Sequence, residues 1–444
     1  MTRLAVLGGG GFRVPLIYRA LLGQDLVDEI ALFDTDAERL QVIEAVLAQL
    51  GHGRQDAPRV VVTTDLDEAL AGADFVFAAL RVGGLQGRTI DERVALRHGV
   101  LGQETTGPGG VCYGLRSVPP MVAVAERVAA VCPQAWVVNF TNPAGMVTEA
   151  MSRVLGDRVI GICDSPIALG RRVLRTLGVA PDHASLRYYG LNHLGWLDQV
   201  VVDGTDRLPE LLADDAKLAA FEEGRLFGAT WLRALGMVPN EYLYYYYSNR
   251  EAVAGIHGAE QTRGELLQAQ QQAFYEAAKA APGDALALWE QTRREREESY
   301  LAESREASDR RDHDDLEAGG YEGVAVALMR ALGTGEPTEL ILDVRNKGSL
   351  SCLPDDAVAE VPCIVNASGP RPLAMADVPG HAAGLLTTVK AVERDTIEAA
   401  LTGDRLLALR ALGSHPLTDS VRNAERMLDD YVSAHPEVGR LFGR

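Results

Sequence analysis

Basic residues are scarce in this chain. The 43 lysines and arginines stand against 62 aspartates and glutamates, a formal net charge of -19 over 444 residues. A field of that sign repels polyphosphates and anionic lipid heads, which argues against nucleic acid and membrane as partners. An anionic small substrate is compatible only with a local cluster of arginines. Cysteine is equally sparse, at five (Cys112, Cys132, Cys163, Cys352 and Cys363). They form no C-x-x-C pair and no even framework, which argues against a disulfide-stapled fold and for a reducing compartment. Long apolar runs are missing too. Leu4 to Leu7 is far too short for a secretory signal and runs straight into glycines, and no uninterrupted stretch reaches bilayer-spanning length. The expectation is a cytoplasmic protein.

What is present is a large apolar fraction, 47%, enough for a sizeable core and two lobes. The first 180 residues alternate short apolar strands with helices. Arg3 to Leu7, Glu29 to Phe33, Val60 to Val62, Phe75 to Leu80, Trp136 to Phe140 and Arg158 to Ile162 read as strands of one parallel sheet. From Arg187 the pattern turns to alternation, which suggests antiparallel strands. The expected division is a dinucleotide-binding Rossmann-type domain over 1–180 and an α+β substrate and metal domain over 181–444. The fold class is α/β, a doubly wound parallel sheet of the lactate/malate dehydrogenase kind with an α+β second domain. Residues 260 to 317 read as long, highly charged helix, with Arg293 to Glu298 a solvated face.

The first strand ends in Gly8-Gly9-Gly10-Gly11, where a pyrophosphate lies on a helix N-terminus in dinucleotide-binding folds. Gly8 and Gly10 supply the tight turn and the close backbone approach, and Gly11, Phe12 and Arg13 complete the expected cofactor loop. Arg13 stands where the full fingerprint carries a third glycine. Asp34 closes the second strand, where a carboxylate accepts from a ribose 2′-hydroxyl and repels a 2′-phosphate. The cofactor read from this is NAD rather than NADP.

Other strands also end in polar residues: Arg81, Asn142 and the pair Cys163-Asp164. In an open α/β sheet the carboxyl edge is the ligand edge. Some thirty residues on, Asn192-His193 offers a carboxamide beside an imidazole. A buried thiol is more often a small hydrophobe than a ligand, and a lone histidine is more often a core residue. The pairing of Cys163 and His193 with polar neighbours at a sheet edge favours a metal.

Taken together the motifs resemble glycoside hydrolase family 4, and most closely its 6-phospho-β-glucosidase-like branch. The likeness rests on the glycine loop, Arg81-Val82-Gly83-Gly84-Leu85, Gly102-Gln103-Glu104-Thr105, Gly107-Pro108-Gly109-Gly110 and Asn142-Pro143-Ala144. It continues through Cys163-Asp164, Leu191-Asn192-His193, Tyr242-Leu243, Thr262-Arg263, Asn346-x-Gly348 and Val361-Pro362. The resemblance implies an NAD- and manganese-dependent glycosidase, with Cys163 and His193 as metal ligands. It implies Asp164 as proton donor, Tyr242 as base, and Glu104 as the acidic residue that raises the basicity of that tyrosine. Arg88, Asn142 and Arg263 match substrate-contacting positions, and Asn192 joins them. Tyr244 and Tyr245 remain alternatives to Tyr242 within the tyrosine run. The loop Gly11-Phe12-Arg13-Val14-Pro15 departs from the Ser/Thr-rich stretch usual in members with phosphorylated substrates, so a need for a 6-phosphate stays open. The reaction implied is oxidation at carbon 3, elimination, addition of water and re-reduction. The partner is a sugar substrate, in a homodimer or homotetramer. The competing readings are a hydroxy-acid or sugar dehydrogenase on the same fold and a non-catalytic NAD sensor.

Overall fold

The computed structural model describes residues 1–299, 320–375 and 377–443. Its frame is a single mixed sheet of 13 strands. In chain order these are β1 (Arg3–Leu7), β2 (Glu29–Phe33), β3 (Arg59–Thr63), β4 (Phe75–Ala78), β5 (Trp136–Asn139) and β6 (Val159–Gly161). Then follow β7 (Ala184–Leu191), β8 (Leu194–Val202), β9 (Thr205–Asp206), β10 (Val238–Pro239), β11 (Thr338–Arg345), β12 (Val358–Asn366) and β13 (Gly369–Pro372). Strands β3-β2-β1-β4-β5-β6 are parallel neighbours in that order. They bury nearly every side chain of β1, β2 and β4 between helical layers, as a two-sided parallel sheet requires.

The sheet does not stop there. β6 pairs antiparallel with β11 through Asp343 and Gly161, and β12, β7, β8 and β10 continue it antiparallel. One continuous sheet therefore links the two halves, with the change of strand sense just beyond Cys163. Because chain order reverses between β1 and β4, a crevice opens at their carboxyl ends. Gly8 sits in it with φ +88°, and an added Cβ there would lie 2.7 Å from the Ala79 carbonyl oxygen.

The helices on the parallel half are α1 (Val14–Leu21), α2 (Ala37–Leu50), α3 (Leu66–Leu70), α4 (Gly84–Arg97), α5 (Pro108–Val131), α6 (Ala144–Leu155) and α7 (Ser165–Leu177). α5 begins at Pro108 and takes in Gly109 and Gly110. Both glycines press on the preceding loop, where a Cβ would come 2.1 and 2.2 Å from the carbonyl oxygens of Gln103 and Thr105. Beyond β9, the helices Asp215–Ala219, Glu222–Phe227 and Ala229–Leu235 follow one another closely. Gly228, at φ +75°, ends one and opens the next. The charged stretch expected as long helix comprises Arg263–Ala280 and Ala285–Glu298, joined by a turn at Pro282–Asp284; its remainder, 300–317, lies outside the described residues. Trp289 and Phe274 dock these two helices on Phe12 of the glycine loop, and the Trp289 indole donates to the Phe12 carbonyl at 2.8 Å.

Candidate active site

A cavity of about 850 Å³ opens along the carboxyl edge of the parallel strands and runs beneath the hairpin of β7 and β8. The residues given site roles from the sequence line it, except the alternative base Tyr244 and Gly10, whose backbone N–H donates to Asp34 Oδ2 at 3.1 Å. Asp34 is further fixed by the N–H of Asp36 at 3.2 Å. The carboxylate thus faces the cavity from the end of β2, beside Gly8 and Gly11. Tyr275 reaches over from the C-terminal half and donates its hydroxyl to the Gly10 carbonyl at 2.6 Å. A backbone cradle that a Cβ would fill, opening onto the N-terminus of α1 with a carboxylate alongside, fits a dinucleotide.

Arg13 stands at the start of α1, but its side chain turns toward the chemistry end of the cavity. The guanidinium lies 5.0 Å from the Tyr321 ring centroid and 5.6 Å from that of Phe140. One of its nitrogens is 3.8 Å from Asp164 Oδ2. Asp164 caps α7 immediately after β6, 3.9 Å from the Cys163 thiol. Cys163 itself is buried. Burial, with Glu360 and Asp164 nearby, pushes its thiol well above the usual range, so a cation must displace the proton to bind.

His193 enters the same cavity from a two-residue turn between β7 and β8. Its φ is +62°, a left-handed conformation that costs a non-glycine residue about 1–2 kcal/mol. Thr105 bonds one ring nitrogen at 2.7 Å, which leaves the other for a ligand. Burial pulls the ring down to about 4 against the opposing fields of Asp164 and Glu104, so it is the neutral form that metals bind. Tyr242 stacks flat on it, centroids 3.7 Å apart and planes 5° from parallel. Tyr245 also borders the cavity, whereas Tyr244, Tyr246 and Tyr247 do not. A thiol, a neutral imidazole and a flanking carboxylate on one cavity are a suitable donor set for a divalent cation with positions left for substrate.

The remaining residues form a tight polar wall. Glu104 is held by Arg81, and by Arg88 at 2.7 Å. Burial would raise its carboxyl, but the two guanidiniums outweigh that and hold it at about 2. Its charge is directed at these arginines, and Arg88 in turn acts on Tyr242. Arg88 also donates to Glu92 at 2.7 Å, and Glu92 accepts from the N–H of Gly264 at 2.8 Å. That link fixes the helix start bearing Arg263. Asn142 presents a buried Oδ1 with no hydrogen-bond partner among the described residues, an acceptor suited to a ligand hydroxyl. Asn192 donates to Glu360 at 3.5 Å, and Tyr188 donates to the same carboxylate at 2.9 Å.

Some cavity residues were not singled out. Glu241 is buried next to Tyr242 and accepts from Ser165 at 2.7 Å. Burial and the neighbouring Glu223 lift it to about 7. Glu360 does not line the cavity; it is buried on β12 behind Asn192 and directly precedes the Val361-Pro362 motif. Arg293 and Arg296 line the cavity instead of a solvated face. Among the described residues, three metal-type ligand atoms lie within 4.8 Å of one another only at Asp91, Cys112 and His435. There Arg116 grips both Asp91 oxygens at 2.6 and 2.7 Å and points at Cys112. The guanidinium already supplies the positive charge, and Cys112 is structural.

Comparison with known proteins decides the family. Residues 4–179 match the Family 4 glycosyl hydrolase model, and 188–418 match the Family 4 glycosyl hydrolase C-terminal domain. The chain belongs to glycoside hydrolase family 4. Among family 4 members, the 6-phospho-beta-glucosidase BglT of Thermotoga maritima is 32% identical, covering 99% of this chain and 100% of that one. A 6-phospho-alpha-glucosidase of Leptotrichia buccalis is 30% identical over 98% of each. The T. maritima 6-phospho-beta glucosidase solved with manganese, NAD+ and glucose-6-phosphate superposes with a TM-score of 0.83 at 30% identity, over 99% of both chains. A malate dehydrogenase of Plasmodium falciparum shares the fold at 13% identity, with a TM-score of 0.52 over 92% of this chain and 100% of that one. The dehydrogenase-like α/β class expected from the strand pattern is thus the observed one.

Proposed function

We propose that this family 4 chain is an NAD- and divalent-metal-dependent glycosidase that hydrolyses a 6-phosphoglucoside, the β-linked form being preferred. The observation that carries the reading is Tyr242 stacked on the neutral His193 imidazole, in one cavity with Cys163 and Asp164. Cys163 and His193 hold the cation, manganese in the first instance, and the crevice lined by Gly8, Gly11 and Asp34 holds NAD. When bound, the nucleotide supplies transient hydride storage from carbon 3, and the cation supplies Lewis acidity at the neighbouring oxygens.

This chain's residues do the positioning and the proton work. Tyr242 lies against a metal-ligand face and takes the proton from carbon 2. Asp164, half-exposed beside Arg13, is placed to give a proton to the leaving oxygen. Asn142, Asn192, Arg88 and Arg263 orient the sugar, with Asn192 itself oriented by Glu360. Glu104 keeps Arg81 and Arg88 fixed and so sets the field at Tyr242. Burial of this wall excludes water until the aglycone departs. A hydroxy-acid dehydrogenase shares the fold but has no use for a cysteine at a metal-type site.

The division into a cofactor domain over 1–180 and a substrate and metal domain over 181–444 is part of the same reading. So is a homodimer or homotetramer in the cytoplasm; among the described residues no helix is long and apolar enough to cross a membrane. The test is hydrolysis of paired chromogenic glucosides, with and without the 6-phosphate, in the presence of NAD and Mn²⁺. Activity that requires both additives supports the reading, and steady NADH accumulation without hydrolysis contradicts it.

A further inference from the structure

The glycine loop is fastened from outside by side chains that come from far along the chain. Tyr275 donates to the Gly10 carbonyl at 2.6 Å, Trp289 to that of Phe12 at 2.8 Å, and Tyr321 to that of Arg13 at 2.8 Å. These donors sit on three separate helices, Arg263–Ala280, Ala285–Glu298 and Tyr321–Thr334. The one carbonyl left in the stretch, that of Gly11, accepts from the Val14 N–H at 3.1 Å. Every carbonyl from Gly10 to Arg13 is therefore engaged. The N–H groups divide differently. Those of Gly10 and Gly11 are used inside the N-terminal half, by Asp34 Oδ2 and the Gly8 carbonyl. Those of Phe12 and Arg13 have no acceptor among the described residues, and both residues line the cavity. Peptide planes beside glycine turn over at little steric cost, so a run of four glycines holds weakly to one arrangement. The arrangement matters, because an inward N–H binds a pyrophosphate and an inward carbonyl repels it.

We infer that Tyr275, Trp289 and Tyr321 are positioning residues for the nucleotide, strapping the loop carbonyls outward so that the Phe12 and Arg13 N–H groups face its pyrophosphate. The inference rests on the glycosidase reading only in taking NAD as the ligand of this crevice. Tyr275 and Trp289 do not line the cavity, so they act through the loop and not by touching the cofactor. Without the Tyr275 hydroxyl the Gly10 carbonyl is left buried and unpaired, which costs more than an ordinary hydrogen bond contributes. The loop then gains by turning that oxygen toward the crevice, at the expense of the pyrophosphate. A motif contained in the first thirteen residues is thus completed by donors 265, 277 and 308 positions further along.

The test is binding of NAD and of ADP-ribose, measured calorimetrically on the full chain. ADP-ribose keeps the pyrophosphate and lacks the nicotinamide. Tyr275→Phe, which removes only a hydroxyl, should weaken both ligands by the same factor, ~five-fold for one hydrogen bond. Trp289→Phe removes the second donor and should do likewise. The control is Tyr431→Phe, which breaks a buried tyrosine-to-carbonyl bond of the same kind, to Asp91 at 3.2 Å, away from the loop. It should lower the melting temperature and leave both affinities within two-fold. Wild-type NAD affinity in Tyr275→Phe and Trp289→Phe, whatever their melting temperatures, overturns the strap and leaves the glycosidase reading standing. A loss of NAD without a loss of ADP-ribose places the effect at the nicotinamide end and also overturns it. So does an equal loss in Tyr431→Phe, which makes the effect a general loosening. Absence of NAD binding in wild type overturns the cofactor part of the glycosidase reading, and the strap with it.

Discussion

At the scale of residues, the account stands on a few side chains that have little other reason to be where they are. His193 accepts a left-handed backbone to face the cavity; strain of that kind persists where the surroundings enforce it, as at working sites. Tyr242→Phe keeps the stack on His193 and removes only the hydroxyl. It should abolish solvent exchange at carbon 2 while NAD binding, followed by fluorescence, stays unchanged. Cys163→Ser should weaken Mn²⁺ at least ten-fold in a metal titration and lower activity in parallel, because a hydroxyl is a poorer ligand than a thiolate. Glu104→Gln leaves Arg81 and Arg88 without their shared carboxylate, and loss of one partner from a buried pair costs about 3–5 kcal/mol. The Glu104 carboxyl is held at about 2 in the folded chain against an ordinary 4.5. Its contribution is therefore complete above about pH 4.5 and fades as pH falls toward 2. Urea midpoints of wild type and variant should differ at neutral pH and converge on acidification below about 4.5.

At the scale of elements, the glycine loop and the hairpin turn carry the geometry. Gly8→Ala forces a Cβ to 2.7 Å from the Ala79 carbonyl at φ +88°, so the loop must move. The expected result is a loss of NAD affinity larger than the loss of thermal stability, read by calorimetry and by melting. The helix Arg263–Ala280 begins with a full capping box, Thr262 and Glu265 each satisfying the other's backbone. Thr262→Ala should cost about 1 kcal/mol of stability.

These elements differ in how legible they were. Strand ends that switch from apolar to polar gave away Asp34, Asn142 and Cys163-Asp164, because a parallel strand buried on both faces has polar residues only where it leaves the sheet. The sequence pattern also announced antiparallel pairing after Arg187. It did not announce that β11 joins β6, since that single Asp343–Gly161 register pair bridges residues far apart in the chain and leaves no local trace. Arg296 was hidden for a different reason. A run of alternating charges looks the same whether it faces water or a polar cavity, and only the docking of Trp289 on Phe12 turns one side of that helix inward. Glu360 was similarly masked by the apolar strand that buries it.

At the scale of the whole molecule, one sheet serves both halves of the site. The parallel half presents a nucleotide crevice at its order reversal, and the antiparallel half delivers the His193 hairpin across β6. The central claim is that Tyr242 removes the carbon-2 proton in a glycosidase that resets its own cofactor. The most direct measurement is proton NMR of the sugar released in deuterated water, with NAD and Mn²⁺ present. The account predicts deuterium at carbon 2 of the product with no net NADH. Full protium at carbon 2, with one NADH accumulating for each substrate consumed, would contradict it.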